Sequence, residues 1–463
     1  MDSTAPPPVP GLRFKLCTMM FLELFIWGAW FEIAFDYVPS LGFASWQNAL
    51  FFGAFNVGAL VALFFSTQFA DRKFAAEKFM AVSHVIGGLA ILGLFFIRPE
   101  AGPDGKPITP FWPFFGLMLV HSIFYVPTIS IANSIAFANL RDPAQEFGPV
   151  RVWGTIGWIA ASWPFIFILV NWTEVPSLAD AGFVTWIGTA LDKPLGGDAL
   201  RNGQRYIFLV SAIASFLLAA YSLVLPHTPP RPAAGGDSLA WLKAMRLLRH
   251  PFVLVLFVVT FIDAAVHQSF FYWTNTFLQK DVGIPSNWAT PVMKIGQVAE
   301  ILTMLVLGYV LKSLGWRLTM VFGVLGHAAR FAVFAFYPEQ TAAILVNVLH
   351  GICYAFFFAT VYIFVDEYFP KDIRSSAQGL FNVLILGIGP FVANQICGVL
   401  ADRYGHTSEK GSVVVDNYSA VFQYSMWAAI AAAVLLFLFF HPPRKPVQEP
   451  TFSEAEEDAP PVP

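Results

Sequence analysis

The chain has 463 residues, of which 57% are hydrophobic and only 12% are charged, and its mean hydropathy is +0.62. Soluble domains carry about 25% charged residues, so this composition excludes an ordinary soluble protein and indicates a membrane protein. A net charge of −3 without a Lys/Arg-rich block argues against a nucleic-acid partner, and three cysteines in apolar runs argue against a disulfide framework.

Twelve segments are long and apolar enough to cross a bilayer as helices, since a crossing needs about 20 mostly apolar residues. They are predicted at 16–37, 46–69, 77–98, 111–137, 150–171, 206–225, 250–273, 288–312, 317–337, 341–365, 373–401 and 419–441. Residues 226–249 hold a Pro/Gly stretch that cannot be helical, and we predict a cytoplasmic linker there. The sequence therefore predicts an all-α integral membrane protein with the major facilitator fold, with six helices in residues 1–225 and six in residues 250–441.

Lys and Arg are distributed unevenly between the two predicted sides of the membrane. With both termini in the cytoplasm, the inside holds seventeen of these residues and the outside holds nine, which is the bias expected for this orientation. We therefore predict a multi-pass protein of the cell inner membrane with cytoplasmic termini. We also predict that it is a monomer. Residues 239–249 are basic and amphipathic and are predicted to lie on the membrane surface. Residues 442–463 are Pro-rich and acidic and are predicted to be a disordered cytoplasmic tail. Asp71 and Arg72 loosely match an acidic–basic motif that major facilitators carry after the second helix.

The fifth segment carries three residues that suit a solute. Charged residues in the middle of a span cost about 2.5–3.5 kcal/mol on insertion scales, so those that persist are candidate functional residues. Arg151, Thr155 and Trp158 share one helical face, spaced four and three apart. A cation, a hydroxyl and a flat ring in line suit a solute that is polar and able to stack. The same spacing is equally compatible with Arg151 snorkelling to the cytoplasmic rim while Trp158 packs on a neighbour.

Polar residues also occur inside the seventh, eighth and tenth segments. Gln297 and Glu300 share a face of the eighth segment, and His350 and Tyr354 share a face of the tenth. Gln268 lies in an aromatic and polar patch that indicates a broken or kinked helix beside a cavity. For His350, the alternative of a core histidine with its hydrogen bonds satisfied is equally compatible with the sequence.

The first segment carries two acids on opposite faces. Glu23 shares a face with Trp27 and Trp30 and is a candidate for proton coupling. Glu32 lies on the opposite face and nearer the outside, so it is the weaker candidate.

Basic residues in the second half of the chain receive structural interpretations. We expect Lys294 to lie at the membrane interface. His327 and Arg330 share a face of the ninth segment, where Arg330 is expected to pair with an acid that the sequence does not identify.

Five blocks of the sequence together resemble the bacterial nucleoside–proton symporter family. In chain order they are HSIFYVPTISIANSIAF, VRVWGTIGW, IGQVAEIL, GWRLTMVFGVLGHAARFAVFA and DIRSSAQGLF. The resemblance implies a central site that binds ribose and base between the two halves. The residues that match the family's site are Arg151, Thr155, Trp158, Gln268, Gln297 and Glu300. His350 and Tyr354 stand where the best-known nucleoside permeases carry a tyrosine and an aromatic residue. Ala355 stands where they carry an aspartate, and Phe271 where they carry an asparagine.

The predicted function is a secondary active transporter that takes up nucleosides by proton symport, with alternating access to a midplane site. Glu300 is the expected main proton carrier at the solute site, because burial disfavours the charged form of a carboxyl group, and Glu23 is the reserve candidate. The alternatives are a proton-coupled transporter of a sugar or nucleobase, and a receptor-like homologue that does not transport. We expect no enzyme activity, metal or cofactor, since no metal-ligand spacing, G-x-S-x-G or P-loop occurs. The expected partners are the solute, protons and the lipid bilayer.

Overall fold

The computed structural model describes most of the chain, and the described residues are 11–65, 75–101, 107–141, 143–230, 245–369, 374–408 and 413–442. The Asp71–Arg72 pair, residues 231–244 of the predicted linker with the first half of its amphipathic segment, and the predicted tail after residue 442 lie outside them. Helices make up nearly all of the ordered structure. Two short antiparallel strand pairs are also present, Glu100–Ala101 with Pro107–Ile108 and Gly405–Thr407 with Val413–Val415.

The helices before the predicted linker follow the first six predicted segments. They are α1 (Leu12–Tyr37), α2 (Ser45–Phe65), α3 (Ala76–Phe96), α4 (Phe111–Asn139), α5 (Pro143–Ala160), α6 (Trp163–Ile168), α7 (Leu178–Asp192), α8 (Gly197–Gln204) and α9 (Tyr206–Ser222). The fifth predicted segment is divided between α5 and α6. Short 3₁₀ helices lie at Val38–Leu41 and Trp172–Glu174.

The helices after the predicted linker follow the last six predicted segments. They are α10 (Pro251–Lys280), α11 (Ser286–Met293), α12 (Ile295–Phe336), α13 (Gln340–Leu345), α14 (Leu349–Cys353), α15 (Thr360–Tyr368), α16 (Arg374–Asn382), α17 (Gly389–Tyr404) and α18 (Tyr418–Phe439). Short 3₁₀ helices lie at Leu247–Arg249 and Val346–Val348, and π-helical turns lie at Tyr354–Ala359 and Val383–Ile388.

Helix α10 is continuous over 30 residues, without the break predicted around Gln268. It begins at Pro251, whose fixed φ suits the first helical position and whose missing N–H would lack a helical partner there. No Gly or Pro follows within the helix, so the aromatic and polar patch lies on a regular helix.

Nine helical stretches within the described ranges are long and apolar enough to cross a membrane, judged by length and composition. One of them, Ser286–Phe336, is 51 residues long and contains two predicted segments. They are separated at Gly315, where φ is 72° and ψ is 173°, so α12 consists of two helices. Helix α2 and the α5–α6 pair lie over two further predicted segments but are not among the nine. The count of twelve spans therefore stays a prediction.

The helices pack mainly with others from the same half of the chain. Helix α1 packs on α5 and α9, and α3 packs on α4 and α9, whereas α10 and α12 both pack on α18. Contacts between the two groups are made chiefly by α1 with α10 and by α2 with α17. This pattern agrees with two six-helix halves, although the exact domain boundaries stay a prediction.

Residues 172–205 join α6 to α9 and contain α7 and α8. They contact α11 of the other half, where the Trp288 indole donates to the Leu191 carbonyl at 3.0 Å and the Ser286 hydroxyl donates to the Leu195 carbonyl at 3.3 Å. The segment therefore bridges the two halves at one end of the bundle.

Candidate functional site

Close packing at Gly157 brings α5 against α1. A Cβ atom at this position would lie 2.0 Å from the Phe21 carbonyl oxygen, so a residue other than glycine would push the two helices apart. The packing places the Trp158 ring 5.0 Å from that of Trp27 and 6.4 Å from that of Phe271 on α10. The predicted face of α5 therefore lies where α1 meets the second half of the chain.

Arg151 faces the second half of the chain from the start of this α5 face. Its guanidinium lies near the Glu300 carboxylate and the Tyr354 hydroxyl of the other half and near Tyr125 of its own half, close enough for an electrostatic influence but without a hydrogen bond or ion pair to any of these three described residues. Arg151 and Thr155 are each half-buried. The structure thus brings Arg151, Glu300 and Tyr354, which are distant in sequence, to one place between the halves.

A second close approach at Gly351 positions the C-terminal part of the site. A Cβ atom there would lie 2.3 Å from the Glu300 backbone nitrogen, so the first part of α12 packs directly on α14. Gln297 and His350 lie side by side in this packing, with their Nε2 atoms 3.3 Å apart. The helix changes to a π-turn immediately after α14, starting at Tyr354, and such turns often occur at functional sites.

His350 is engaged on both sides of its ring. Arg330 donates from Nη1 to His350 Nδ1 at 2.9 Å and from Nη2 to His327 Nδ1 at 2.9 Å. The Nε2 atom of His350 faces Gln297. These contacts agree with a core histidine whose hydrogen bonds are satisfied, and a solute contact at His350 stays a prediction.

Gln268 is hydrogen-bonded to other side-chain amides. Its carboxamide donates to Asn394 Oδ1 at 2.9 Å, and Asn394 donates in turn to Asn56 Oδ1 at 3.1 Å. Asn56 donates to the Leu386 carbonyl at 2.9 Å. Gln268 therefore belongs to a chain of amides that joins α10 and α17 to α2 of the other half.

Glu23 lies inside the first half of the chain. Its Oε1 accepts a hydrogen bond from the Thr128 hydroxyl at 2.7 Å, and its Oε2 lies 3.1 Å from His84 Nε2. The Tyr125 hydroxyl also donates to its backbone carbonyl at 2.6 Å. Glu23 is thus held by α3 and α4, away from Glu300, so the two predicted proton-coupling acids form separate environments.

The expectation that Lys294 lies at the membrane interface is wrong, because it is buried against Glu32. Lys294 is 3% exposed and Glu32 is 0% exposed, and the Lys294 ammonium donates to Glu32 Oε1 at 2.8 Å. The ammonium also lies 4.4 Å from the centre of the Trp158 ring, which is a favourable cation–π distance. A buried ion pair between the halves therefore adjoins the predicted solute site. A lysine beside an apolar run needs a partner, but the sequence gives no sign that the partner lies 262 residues away.

The chain is similar to known transporters. A family model described as "Nucleoside H+ symporter" matches residues 11–187 and 173–445. The putative nucleoside transporter YegT of Escherichia coli (strain K12) is 30% identical over 433 residues, which cover 92% of this chain and 93% of that protein. The xanthosine permease of the same organism is 26% identical over 458 residues, which cover 94% of this chain and 98% of that protein.

The fold resembles that of solved transporters. The crystal structure of the nucleoside transporter NupG matches with a TM-score of 0.73 at 22% identity, and the match covers 93% of this chain and 100% of that chain. The D-xylose–proton symporter matches with a TM-score of 0.60 at 15% identity, covering 93% of this chain and 98% of that chain. The protein is therefore a helical membrane protein with the fold of these transporters, and by its sequence it belongs to the nucleoside H⁺ symporter family.

Proposed function

We propose that the protein is a secondary active transporter that takes up nucleosides together with protons. The solute site lies between the halves and is lined by residues that the sequence singled out, Arg151, Thr155, Trp158, Gln268, Gln297, Glu300, His350 and Tyr354. The two halves move about this site, so that it opens to one side of the membrane at a time. Membership of the nucleoside H⁺ symporter family supports the proposal.

The placement of Arg151 near Glu300 and Tyr354, across the boundary between the halves, is the observation that carries the proposal. A cation of the first half lies close enough to a carboxylate and a phenol of the second half to influence both electrostatically. A solute held by both groups stabilises one arrangement of the halves over another, which is what alternating access requires. Trp158 lies on the same helical face as Arg151, two turns further along α5, and supplies a ring on which a base stacks.

Glu300 is the residue that couples solute and proton in this proposal. Its carboxylate is half-buried and faces the Arg151 guanidinium across the boundary between the halves. Proton binding removes the negative charge and with it the attraction to Arg151, which is strong in surroundings of low polarity. Proton loading of Glu300 therefore changes the energy of holding the halves together around the solute.

Uptake into liposomes tests the proposal. We expect labelled nucleoside to accumulate in liposomes that hold the purified protein and are alkaline inside, and the accumulation to collapse when a protonophore is added. Unlabelled purine or pyrimidine nucleosides should compete, whereas free bases and ribose should not. Accumulation of a base or a sugar in place of nucleosides would select the alternative substrates. Nucleoside binding without accumulation would select the receptor-like alternative.

A further inference from the structure

A polar cluster lies inside the second half of the chain, beside the solute site, and shares only His350 with the residues assigned to that site. This Arg330 cluster contains Asp263 and His267 of α10, His327 and Arg330 of α12, and His350 of α14. Asp263 and Arg330 are both 0% exposed. In the part of the chain that the structure describes, no three His, Cys, Asp or Glu side chains are arranged to hold a metal ion. The cluster therefore calls for an explanation other than metal binding.

Arg330 determines which ring nitrogen carries the hydrogen in two histidines. A guanidinium has N–H donors and no acceptor, so the Nδ1 atoms of His327 and His350, each 2.9 Å from an Arg330 nitrogen, both accept. A neutral imidazole that accepts at Nδ1 carries its proton at Nε2. Both rings are therefore Nε2–H donors, one directed to each end of the cluster.

At one end of the cluster, His350 connects to the solute site through Gln297. The two Nε2 atoms lie 3.3 Å apart, and both would be donors if the Gln297 amide nitrogen faced the ring. The Nε2–H tautomer of His350 fits when the Gln297 carboxamide is turned so that its oxygen faces the ring. This oxygen has no other partner among the described residues. Gln297 then accepts from His350 and turns its amide hydrogens away from the ring.

At the other end, Asp263 is a buried carboxylate without a hydrogen-bond donor. Neither of its oxygens has a hydrogen-bond partner among the described residues, and its Oδ2 lies 3.8 Å from His327 Nε2. Burying an unpaired ion costs several kcal/mol, so Asp263 is the counter-charge of Arg330 although His327 stands between them. By contrast, a carboxylate with a purely structural role is expected to accept hydrogen bonds.

His267 connects this acid with the space near the solute site. It lies one helical turn after Asp263, on the same face of α10, and its side chain is half-buried. The centre of its ring lies 5.5 Å from that of His327, 4.9 Å from that of His350 and 6.5 Å from that of Tyr354. His267 therefore lies between Asp263 and two residues of the predicted solute site, His350 and Tyr354.

We propose that Asp263 is a second proton-binding residue, coupled to the solute site through His327, Arg330 and His350. The step is the addition of one proton to an Asp263 carboxylate oxygen and its later release, with no other bond made or broken. A proton on Asp263 leaves Arg330 without its counter-charge, which strengthens donation from Arg330 to His350. His350 passes this change on to Gln297 at the solute site. Proton binding at Asp263 and solute binding at Gln297 therefore favour the same conformation of the protein. The inference rests on the proposed function.

Other titratable groups around the cluster are few. The Cys353 thiol on α14 interacts electrostatically with both Asp263 and Arg330, and Lys294 at the start of α12 interacts with His350. Helix α18 carries no charged residue, and α17 carries Asp402 and Arg403 only at its end. Arg330 is therefore the cation that responds first to the charge on Asp263.

Nitrogen-15 NMR of the histidines tests this inference without any solute. The chain has nine histidines, so signals from selectively labelled protein can be assigned with single His→Gln variants. We expect a pH-dependent step in the His327 and His350 signals that disappears in Asp263→Asn. The matched control is Asp281→Asn, which makes the same change at an exposed position at the end of α10 and should keep the step. A step that persists in Asp263→Asn, or one that is missing from the native protein, would overturn the proposal.

Accumulation measurements test the coupling itself. With the membrane voltage held at zero, each coupled proton raises the limiting accumulation ratio about tenfold per unit of pH gradient. We expect Asp263→Asn to lose about that factor while exchange of labelled for unlabelled nucleoside persists. An unchanged ratio would show that Asp263 carries no transported proton.

Two further provisions keep the test decisive. If Asp263→Asn does not fold, Asp263→Glu replaces it. The pH of the histidine step should then move, because the carboxyl groups of Asp and Glu differ in pKa. An unmoved step in Asp263→Glu would overturn the proposal. If no nucleoside is transported by the native protein, the proposed function fails, while the histidine spectra still decide whether Asp263 binds a proton.

Discussion

Each half of the protein buries a carboxylate next to a histidine, but the two acids differ in their donors. Glu23 in the first half has Thr128 at 2.7 Å and His84 at 3.1 Å. Asp263 in the second half has no hydrogen-bond donor among the described residues, and His327 lies 3.8 Å away. Both acids are buried, so burial does not distinguish them, and we expect the number of donors that hold each carboxylate to separate a structural acid from one that binds a proton.

Two further acids extend this comparison across the boundary between the halves. Glu32 is held by a cation of the other half, Lys294, in a close ion pair. Glu300 faces the Arg151 guanidinium while remaining half-buried. Glu32 and Glu300 thus lie next to cations of the opposite half, whereas the neighbours of Glu23 and Asp263 come from their own half.

The largest effect is expected for Glu300→Gln. The amide keeps the shape of the side chain but binds no proton, so the accumulation that the Glu300 proton drives should be lost and only the part coupled to Asp263 should remain. Exchange of labelled for unlabelled nucleoside needs no net proton movement and should survive. Both are measured in the same liposomes, with Asp281→Asn as the control. Normal accumulation would remove Glu300 from the mechanism, and loss of exchange as well would make it a binding residue.

The next effect is expected for Lys294→Met, which leaves Glu32 buried without its cation. Removing one partner of a buried ion pair typically costs about 3–5 kcal/mol. Thermal unfolding should therefore occur at a clearly lower temperature. The double variant Glu32→Gln/Lys294→Met removes both charges and should recover much of the loss. Equal melting temperatures for the native protein and Lys294→Met would show that the pair does not stabilise the folded state.

A smaller effect is expected for Glu23→Gln, which tests the donor argument directly. The amide oxygen still accepts from Thr128, but the charge-assisted part of the interaction is lost. A loss of about 1–3 kcal/mol in the free energy of unfolding is expected, with accumulation ratios unchanged. Reduced accumulation at native stability would make Glu23 a proton carrier and would contradict the comparison with Asp263.

The sequence predicted those parts of the molecule that depend on local spacing. The helices follow the predicted segments, and residues three or four apart, such as Gln297 and Glu300, are indeed directed to the same region. The partners of buried charges were not predictable, because they depend on which distant helices pack together. Glu32 and Lys294 are 262 residues apart, and the sequence did not show that the acid beside Arg330 is Asp263. The sequence shows that each of these buried charges needs a partner, but it does not show which residue the partner is.

The smallest effect is expected for Thr155→Val, at the edge of the solute site. Thr155 is half-buried on the face of α5 between Arg151 and Trp158, and its hydroxyl is proposed to bond the solute. Losing one neutral hydrogen bond should weaken nucleoside binding by about 1 kcal/mol, or about fivefold in affinity, with thermal stability nearly unchanged. The matched control is Thr189→Val on α7, where the hydroxyl donates to the Thr185 carbonyl at 2.8 Å on an exposed helix. Binding is measured by the shift of the melting temperature with nucleoside concentration. Equal affinities in the two variants would show that this face of α5 packs on protein, leaving Arg151 and Glu300 to hold the solute without it.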